Sequence, residues 1–499
     1  MTKKKCVIIG SGLGGLSCGL ILAKNDYDVT ILEQGAQIGG CLQCFYRQGV
    51  KFETGMHFIG SADKGQTLSR LSNYLGINKD IKLSRLDPTG YHVVSLHDQL
   101  YKFANGKEAF IEQMCSYFPD ESQELENYYD IIEKIASASS LHSLEQSESN
   151  FTRFNEYQTR SINDVLHQFI HNPLLRDVLV GYLPLYAPKL NKTPFSAHAF
   201  ITDFYNKSAF RVVGGSDYIA KSLNKSLVAS GGRVLTRKQV THIDCNDVCA
   251  TGVTTKEGEH FEADIVISDV HPARTLEMLD TRMIRPIFRN RINSIPNTTA
   301  CFSIYLHFKK DKVPYMNYNF FGYKQGPWDC ERYDSQSWPK GYLYMHFCHC
   351  ENPTFAESGV IISYMSFDDV REWEKTTIGH RGPSYEEFKE QKAQTLFAAV
   401  EHDFPNIISD IESYYTSTPL TYQNYTGTQD GSMYGIEKSI TQDASCRVPF
   451  RTKVPNLFFA GQNVNSHGML GVLVGTMVVC SYLIGEDNLF RQIKEANNE

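Results

Sequence analysis

The sequence predicts an α/β fold: a Rossmann dinucleotide-binding domain with an α+β segment inserted into it. Three observations predict it. A strand, a glycine-rich turn, a helix and a second strand follow one another within the first 33 residues. The same style of apolar strand and glycine turn returns near Val212 and again at Asn456–Gly461. The intervening segments lack it, and 499 residues exceed what one ordinary core holds.

The elements justify this in order. Cys6–Ile9 is a short apolar run suited to a strand buried on both faces. Leu16 to Lys24 carries apolar residues at helical spacing, and Asp28–Leu32 is the second strand. From Asn73 to Asn206 the character changes. Glu108 to Leu144 is polar, acidic and helical in pattern, and Phe151 to Leu185 reads as helical up to Pro184. Val213-Gly214-Gly215 then precedes a helical run, Tyr218 to Ser230. Arg233–Leu235 is a strand, Val253–Gly258 suggests a hairpin, and Ala263–Ser268 is another buried strand. Ser303–Phe308 alternates like a sheet strand, and aromatic residues crowd Tyr315 to Tyr344. Asn456–Gly461 is expected to lie beside the first strand, with a closing helix from Gly471 to Gly485. The expected division is therefore 1–72, 207–284 and 446–499 for the dinucleotide domain, and 73–206 with 285–445 for the substrate domain.

Composition narrows the function. Hydrophobic residues make up 41% and charged residues 21%, as in a globular chain. The net charge is −7, and the longest basic block is Lys3-Lys4-Lys5, so nucleic acid is not an expected partner. The thirteen scattered cysteines point to a reducing, cytoplasmic setting. Cys41 and Cys44 form a CxxC, and Cys348-His349-Cys350 is compact, but a tetrahedral metal site needs about four ligands, so no metal is expected. The N-terminal apolar run is broken by Gly10, Gly12, Gly14, Gly15 and Gly19, which makes a poor signal core. The best spanning candidate, Val472 to Ile484, is too short and contains Gly475, Thr476 and Ser481.

Gly10-Ser11-Gly12-Leu13-Gly14-Gly15 matches the dinucleotide fingerprint. Its glycines serve a tight turn, close approach to a pyrophosphate, and tight helix–strand contact. The pyrophosphate belongs on the helix N-terminus, where free N–H groups favour anions. Glu33 ends the second strand, 21 residues after Gly12, placed to accept from ribose hydroxyls. An acid there disfavours a 2′-phosphate, which leaves FAD or NAD. Gly39-Gly40 just after this strand, and the distant Gly461-Gln462-Asn463, favour FAD. Asn463 is expected at the ribityl chain, and the helix beginning near Gly471 at the flavin pyrimidine edge. Val240 completes the expected cofactor contacts.

These motifs resemble the FAD-dependent carotenoid desaturases and isomerases, most closely the retinol saturases. The likeness is carried by Glu53-Thr54-Gly55-Met56-His57-Phe58-Ile59-Gly60 and by Arg381-Gly382-Pro383-Ser384-Tyr385 with Phe388-Lys389. Thr418-Pro419-Leu420-Thr421, Tyr434-Gly435 and Gly461-Gln462-Asn463 extend it to the end of the chain. The resemblance implies a glutathione-reductase-like Rossmann domain binding FAD, and hydride transfer to or from a C=C bond of an apolar polyene, with saturation the expected direction. It also implies contact with a membrane surface. Two positions depart from many relatives: Cys41 replaces a basic residue and Asn463 an acid.

Saturation needs a proton as well as a hydride. His57 is the first candidate donor, followed by His467 and Tyr434. No second strand-linked glycine fingerprint exists for a nicotinamide, so the electron donor or acceptor is external. Cys41 and Cys44 read as packing thiols. A redox-neutral isomerase, an amine oxidase and a non-catalytic lipid carrier are the alternatives. Docking on a membrane would let an apolar substrate enter without crossing water, with Lys3, Lys4 and Lys5 attracted to anionic lipid.

Overall fold

In the computed structural model the first strand, β1 (Lys4–Ile9), is buried from Cys6 onward. Helix α1 (Leu13–Lys24) begins three residues before the expected start, because Gly12 is its N-cap. Strand β2 (Tyr27–Leu32) pairs with β1 in parallel, Cys6 opposite Val29 and Ile9 opposite Leu32. The structure describes residues 3–498 apart from 140, 141, 143, 145–155, 331, 335 and 442–446. Parts of the helical runs expected over 108–144 and 151–185 therefore lie outside the described residues.

Five parallel strands form the dinucleotide sheet. Their order is Arg233–Leu235, β2, β1, Ile265–Ser268, Leu457–Phe459. The C-terminal strand thus does not lie beside β1, as expected, but one position further out. Ile265–Ser268 is buried along its whole length and takes the inner place. A three-stranded antiparallel layer (Val240–Cys245, Ala250–Thr255, His260–Glu262) enlarges the expected hairpin.

Helix α1 is buried over ten of its twelve residues, since it packs against Asp217–Ala229 on one side and Gly468–Ile484 on the other. The helix Gly468–Ile484 is apolar all round for the same reason: eleven of its residues are buried inside protein. Full burial of each Val or Leu contributes roughly 1.5–3 kcal/mol. Among the described residues no helix is long and apolar enough to cross a membrane.

The second core is a seven-stranded mixed sheet. Its order is Ile411–Ser417, Ala300–Phe308, Ser358–Met365, Gly341–Phe347, Asn319–Tyr323, His92–Leu96, Gln99–Phe103. The expected strand at Ser303–Phe308 runs over Ala300–Phe308, and both its faces are buried. Phe302, Ile304 and Phe308 pack with Leu396, Phe397 and Val400 of the helix Pro383–Asp403. Cys301 and Tyr305 face the opposite core, which holds Ser122–Ser137 and Pro173–Leu179. The expected 151–185 helix is broken: Ile170 is extended, and Asn172 caps a new helix starting at Pro173.

Two segments cross the expected domain division. Residue 72 lies inside the helix Thr67–Leu75, which packs against the C-terminal helix Glu486–Asn497. The hairpin Cys44–Arg47 and Val50–Glu53 lies against the large sheet, with Phe45 edge-on to Tyr305 at 4.9 Å.

Candidate functional site

A cavity of about 790 Å³ runs from the carboxyl ends of the parallel strands to one face of the seven-stranded sheet. This is where ligands sit in open α/β sheets, and the volume is that of a ligand site. One end is the glycine loop: Gly10, Ser11, Gly12, Leu13 and Gly14 line it. Gly15 does not; a methyl group there would collide with the Gly10 carbonyl, so its role is helix–strand contact. Glu33 lines the same end. Its Oε2 accepts from Ser11 N–H at 3.0 Å and Ser11 O–H at 2.6 Å, and its Oε1 from Gly35 N–H at 2.7 Å. Val240 lines it too, with Lys238, Gln239 and Thr241.

Gly39 and Gly40 have φ of 110° and 54°, which glycine adopts without strain. Gly39 N–H donates to the Ser11 carbonyl at 3.0 Å, so this turn lies on the glycine loop. A methyl group on Gly40 would lie 3.2 Å from the Gly12 Cα. Gly461 closes the other side; a methyl group on Gly14 would come within 2.9 Å of the Gly461 N. Asn463 lines the cavity, with its Oδ1 engaged by Ile436 N–H at 2.9 Å. Gly471 is a correction. The closing helix starts at Gly468, and Gly471 packs on Ser466, so Gly468 and Met469 meet the cavity instead. A backbone-walled cradle beside a ribose-placed carboxylate fits FAD. Gly12, Gly14, Gly40 and Gly461 would admit it, Glu33 and Val240 would hold the adenosine end, and Asn463 the ribityl end.

The far end is apolar: Leu185, Tyr205, Leu343, Ile362, Tyr422 and Met433 line it. These residues were not legible, because the large sheet brings Leu343 and Ile362 together from separate strands. His57 lines this end. Its Nε2 is buried without a hydrogen-bond partner among the described residues. Burial, then the nearby Arg211 cation, push the imidazole down to about 3, so it is neutral near pH 7. Arg211 donates to the His57 carbonyl at 3.2 Å and to Asn319 Oδ1 at 3.0 Å. Tyr434 also lines the cavity, but its hydroxyl donates to the Pro184 carbonyl at 2.7 Å. His467 lies behind it, ring to ring at 4.3 Å, and is not among the cavity-lining residues. Burial pushes His467 down to about 4. Of the three candidate proton donors, His57 and Tyr434 therefore reach the cavity; His57 carries no imidazolium near pH 7, and the Tyr434 hydroxyl is engaged by the Pro184 carbonyl.

Cys41 lines the cavity, and burial, then Asp269, raise its thiol to about 11. Cys44 is buried behind it and donates to Glu53 Oε2 at 3.2 Å, so the two thiols have different surroundings. Cys348 and Cys350 place their sulfurs 3.1 Å apart. Among the described residues no group of three or more His, Cys, Asp or Glu gathers to hold a metal. Asp269 is a further cavity residue the motifs missed, at the glycine loop. It follows the strand Ile265–Ser268, and the strand order carries it to the glycine loop, where Gly15 N–H donates to it at 2.7 Å.

This chain is similar to known proteins along nearly its whole length. An all-trans-retinol 13,14-reductase of Danio rerio is 25% identical over 99% of this chain and 89% of its own. A chloroplastic prolycopene isomerase of an Oncidium hybrid cultivar is 25% identical over 96% of this chain and 84% of its own. The solved structure of a putrescine oxidase bound to putrescine shares the fold, with a TM-score of 0.63 at 13% identity over 98% of this chain and 99% of that one. The family model described as flavin containing amine oxidoreductase matches residues 13–474, so this chain belongs to that family and is an FAD-dependent oxidoreductase.

Proposed function

We propose that this oxidoreductase transfers a hydride to a C=C bond of an apolar, retinoid- or carotenoid-like polyene, and that the net reaction is saturation. The observation that carries the reading is the chemistry of the cavity's far end. Leu185, Leu343, Ile362 and Met433, with Tyr205 and Tyr422, form an apolar wall next to His57 and Cys41. The acids that line the cavity, Glu33, Asp269 and Glu277, belong to the segments around the glycine loop and the adenosine end. A small ammonium substrate would want one at the other end, which disfavours amine oxidation here. Full-length likeness to retinol reductases supports the same choice.

FAD supplies two-electron hydride exchange when bound. The chain's own residues do the rest. The apolar wall takes up the hydrocarbon and excludes water, each buried CH₂ contributing about 0.8 kcal/mol. His57, neutral and with Nε2 unpartnered, offers a hydrogen-bonding edge but no imidazolium. Tyr422 is anchored by donating to the Thr54 carbonyl at 3.0 Å. The electron donor is external, and the proton is delivered by a phenol at this wall, Tyr205 or Tyr422.

Membrane docking is part of the proposal with narrower support. Lys5 pairs with Glu262 at 2.7 Å and Lys3 with Asp26 at 3.5 Å, which reduces the basic attraction first expected. Exposed Leu100, Val228 and Ile287 lie on different elements. Flotation with anionic liposomes at low salt tests it, and protein left wholly in the soluble fraction removes it.

The deciding experiment is anaerobic incubation of chemically reduced holoprotein with extracted polyenes, followed by mass analysis. A gain of two hydrogens is expected. Unchanged mass with altered geometry would make the protein an isomerase, and turnover confined to small amines would overturn the polyene reading.

A further inference from the structure

The anion seat at the start of α1 already holds a carboxylate of this chain. Asp269 Oδ2 accepts the Gly15 N–H at 2.7 Å. A methyl group built on Gly14 or on Gly461 would collide with its Oδ1, and one on Gly12 would lie 2.7 Å from Oδ2. The carboxylate therefore lies among the glycines whose backbone a pyrophosphate must approach. The helix terminus that would favour the cofactor's phosphates favours this side chain in the same way.

Among the described residues no cation pairs with it. Glu33, from the end of β2, adds a second negative charge, and Cys41 contributes a neutral thiol. On its own segment His271 interacts through Nε2 with Asn297 at 2.9 Å, and Arg274 pairs with Glu277 at 2.8 Å. Lys238, across the cavity, pairs with Glu259 at 2.6 Å.

We propose that Asp269 and the FAD pyrophosphate compete for the space beside Gly12, Gly14 and Gly461 at the α1 terminus, so that FAD loading is coupled to uptake of one proton by Asp269. Burial, then Glu33, already hold this carboxyl up at about 7 against the lowering by Gly15 N–H. A bound pyrophosphate raises it further, since like charges disfavour ionisation. The sign follows: the bound form holds the proton more tightly, so affinity is full below about pH 7. It falls as pH rises above that, by about tenfold per pH unit.

The test dialyses full-length holoprotein against graded FAD at pH values from about 6 to about 9, for wild type and Asp269→Asn. Wild type is expected to lose affinity about tenfold per unit above neutrality. Asp269→Asn is expected to match wild type at the acid end, stay flat, and bind more tightly at the alkaline end. A flat wild-type profile, or a variant weaker at every pH, overturns the proposal. A second measurement needs no variant. Calorimetric FAD titration of wild type in buffers of different ionisation heat should show about one proton taken up near pH 8, and none taken up overturns it.

Discussion

At the scale of single residues, the cavity shows why side-chain identity and side-chain role separate. Glu33 was legible from its distance to Gly12, and its carboxylate holds both Ser11 and Gly35. Glu33→Ala is expected to weaken FAD by roughly 1.5–3 kcal/mol, about 10- to 150-fold, measured by equilibrium dialysis; unchanged affinity would remove Glu33 from the site. Tyr434 was legible as a candidate acid, but its proton already serves the Pro184 carbonyl. Tyr434→Phe should cost about 1 kcal/mol of stability in denaturant unfolding and leave turnover within about tenfold. A loss of roughly a hundredfold or more in turnover would assign it the proton transfer. Asp269 carried no motif. It became visible only when its strand was seen to lie beside β1.

Elements explain the corrections. Local spacing identified β1, α1 and β2, because a βαβ unit is made by neighbours in sequence. It misordered the C-terminal strand, since register between Leu457–Phe459 and Ile265–Ser268 is a contact across nearly 200 residues. It also started the closing helix at Gly471, where Gly468 is the first helical residue. The glycine loop offers a direct check on this scale. Gly15→Ala would drive a methyl group into the Gly10 carbonyl and part α1 from β1. The expected outcome is folded but colourless protein, read from the flavin absorbance per chain; a fully yellow variant would show that the contact can relax.

On the scale of the whole molecule, function depends on two cores meeting along one cavity. The parallel sheet supplies the backbone cradle, and the seven-stranded sheet supplies the apolar wall through Leu343 and Ile362. A substrate series should register this wall. Shortening a polyene by one CH₂-sized step is expected to lose about 0.8 kcal/mol, or nearly fourfold in affinity, in competition binding; affinity indifferent to length would place the substrate elsewhere. The sequence by itself determined the dinucleotide unit and the acid at the end of its second strand, because these depend on short spacings that local backbone geometry enforces; the choice of FAD came from the distant Gly461-Gln462-Asn463 and the family resemblance. Only the tertiary structure decided which residues line the apolar end of the cavity, that His467 stands behind Tyr434, and that Asp269 lies on the glycine loop. Those are contacts between segments far apart in the chain, and no local pattern encodes which strand lies next to which.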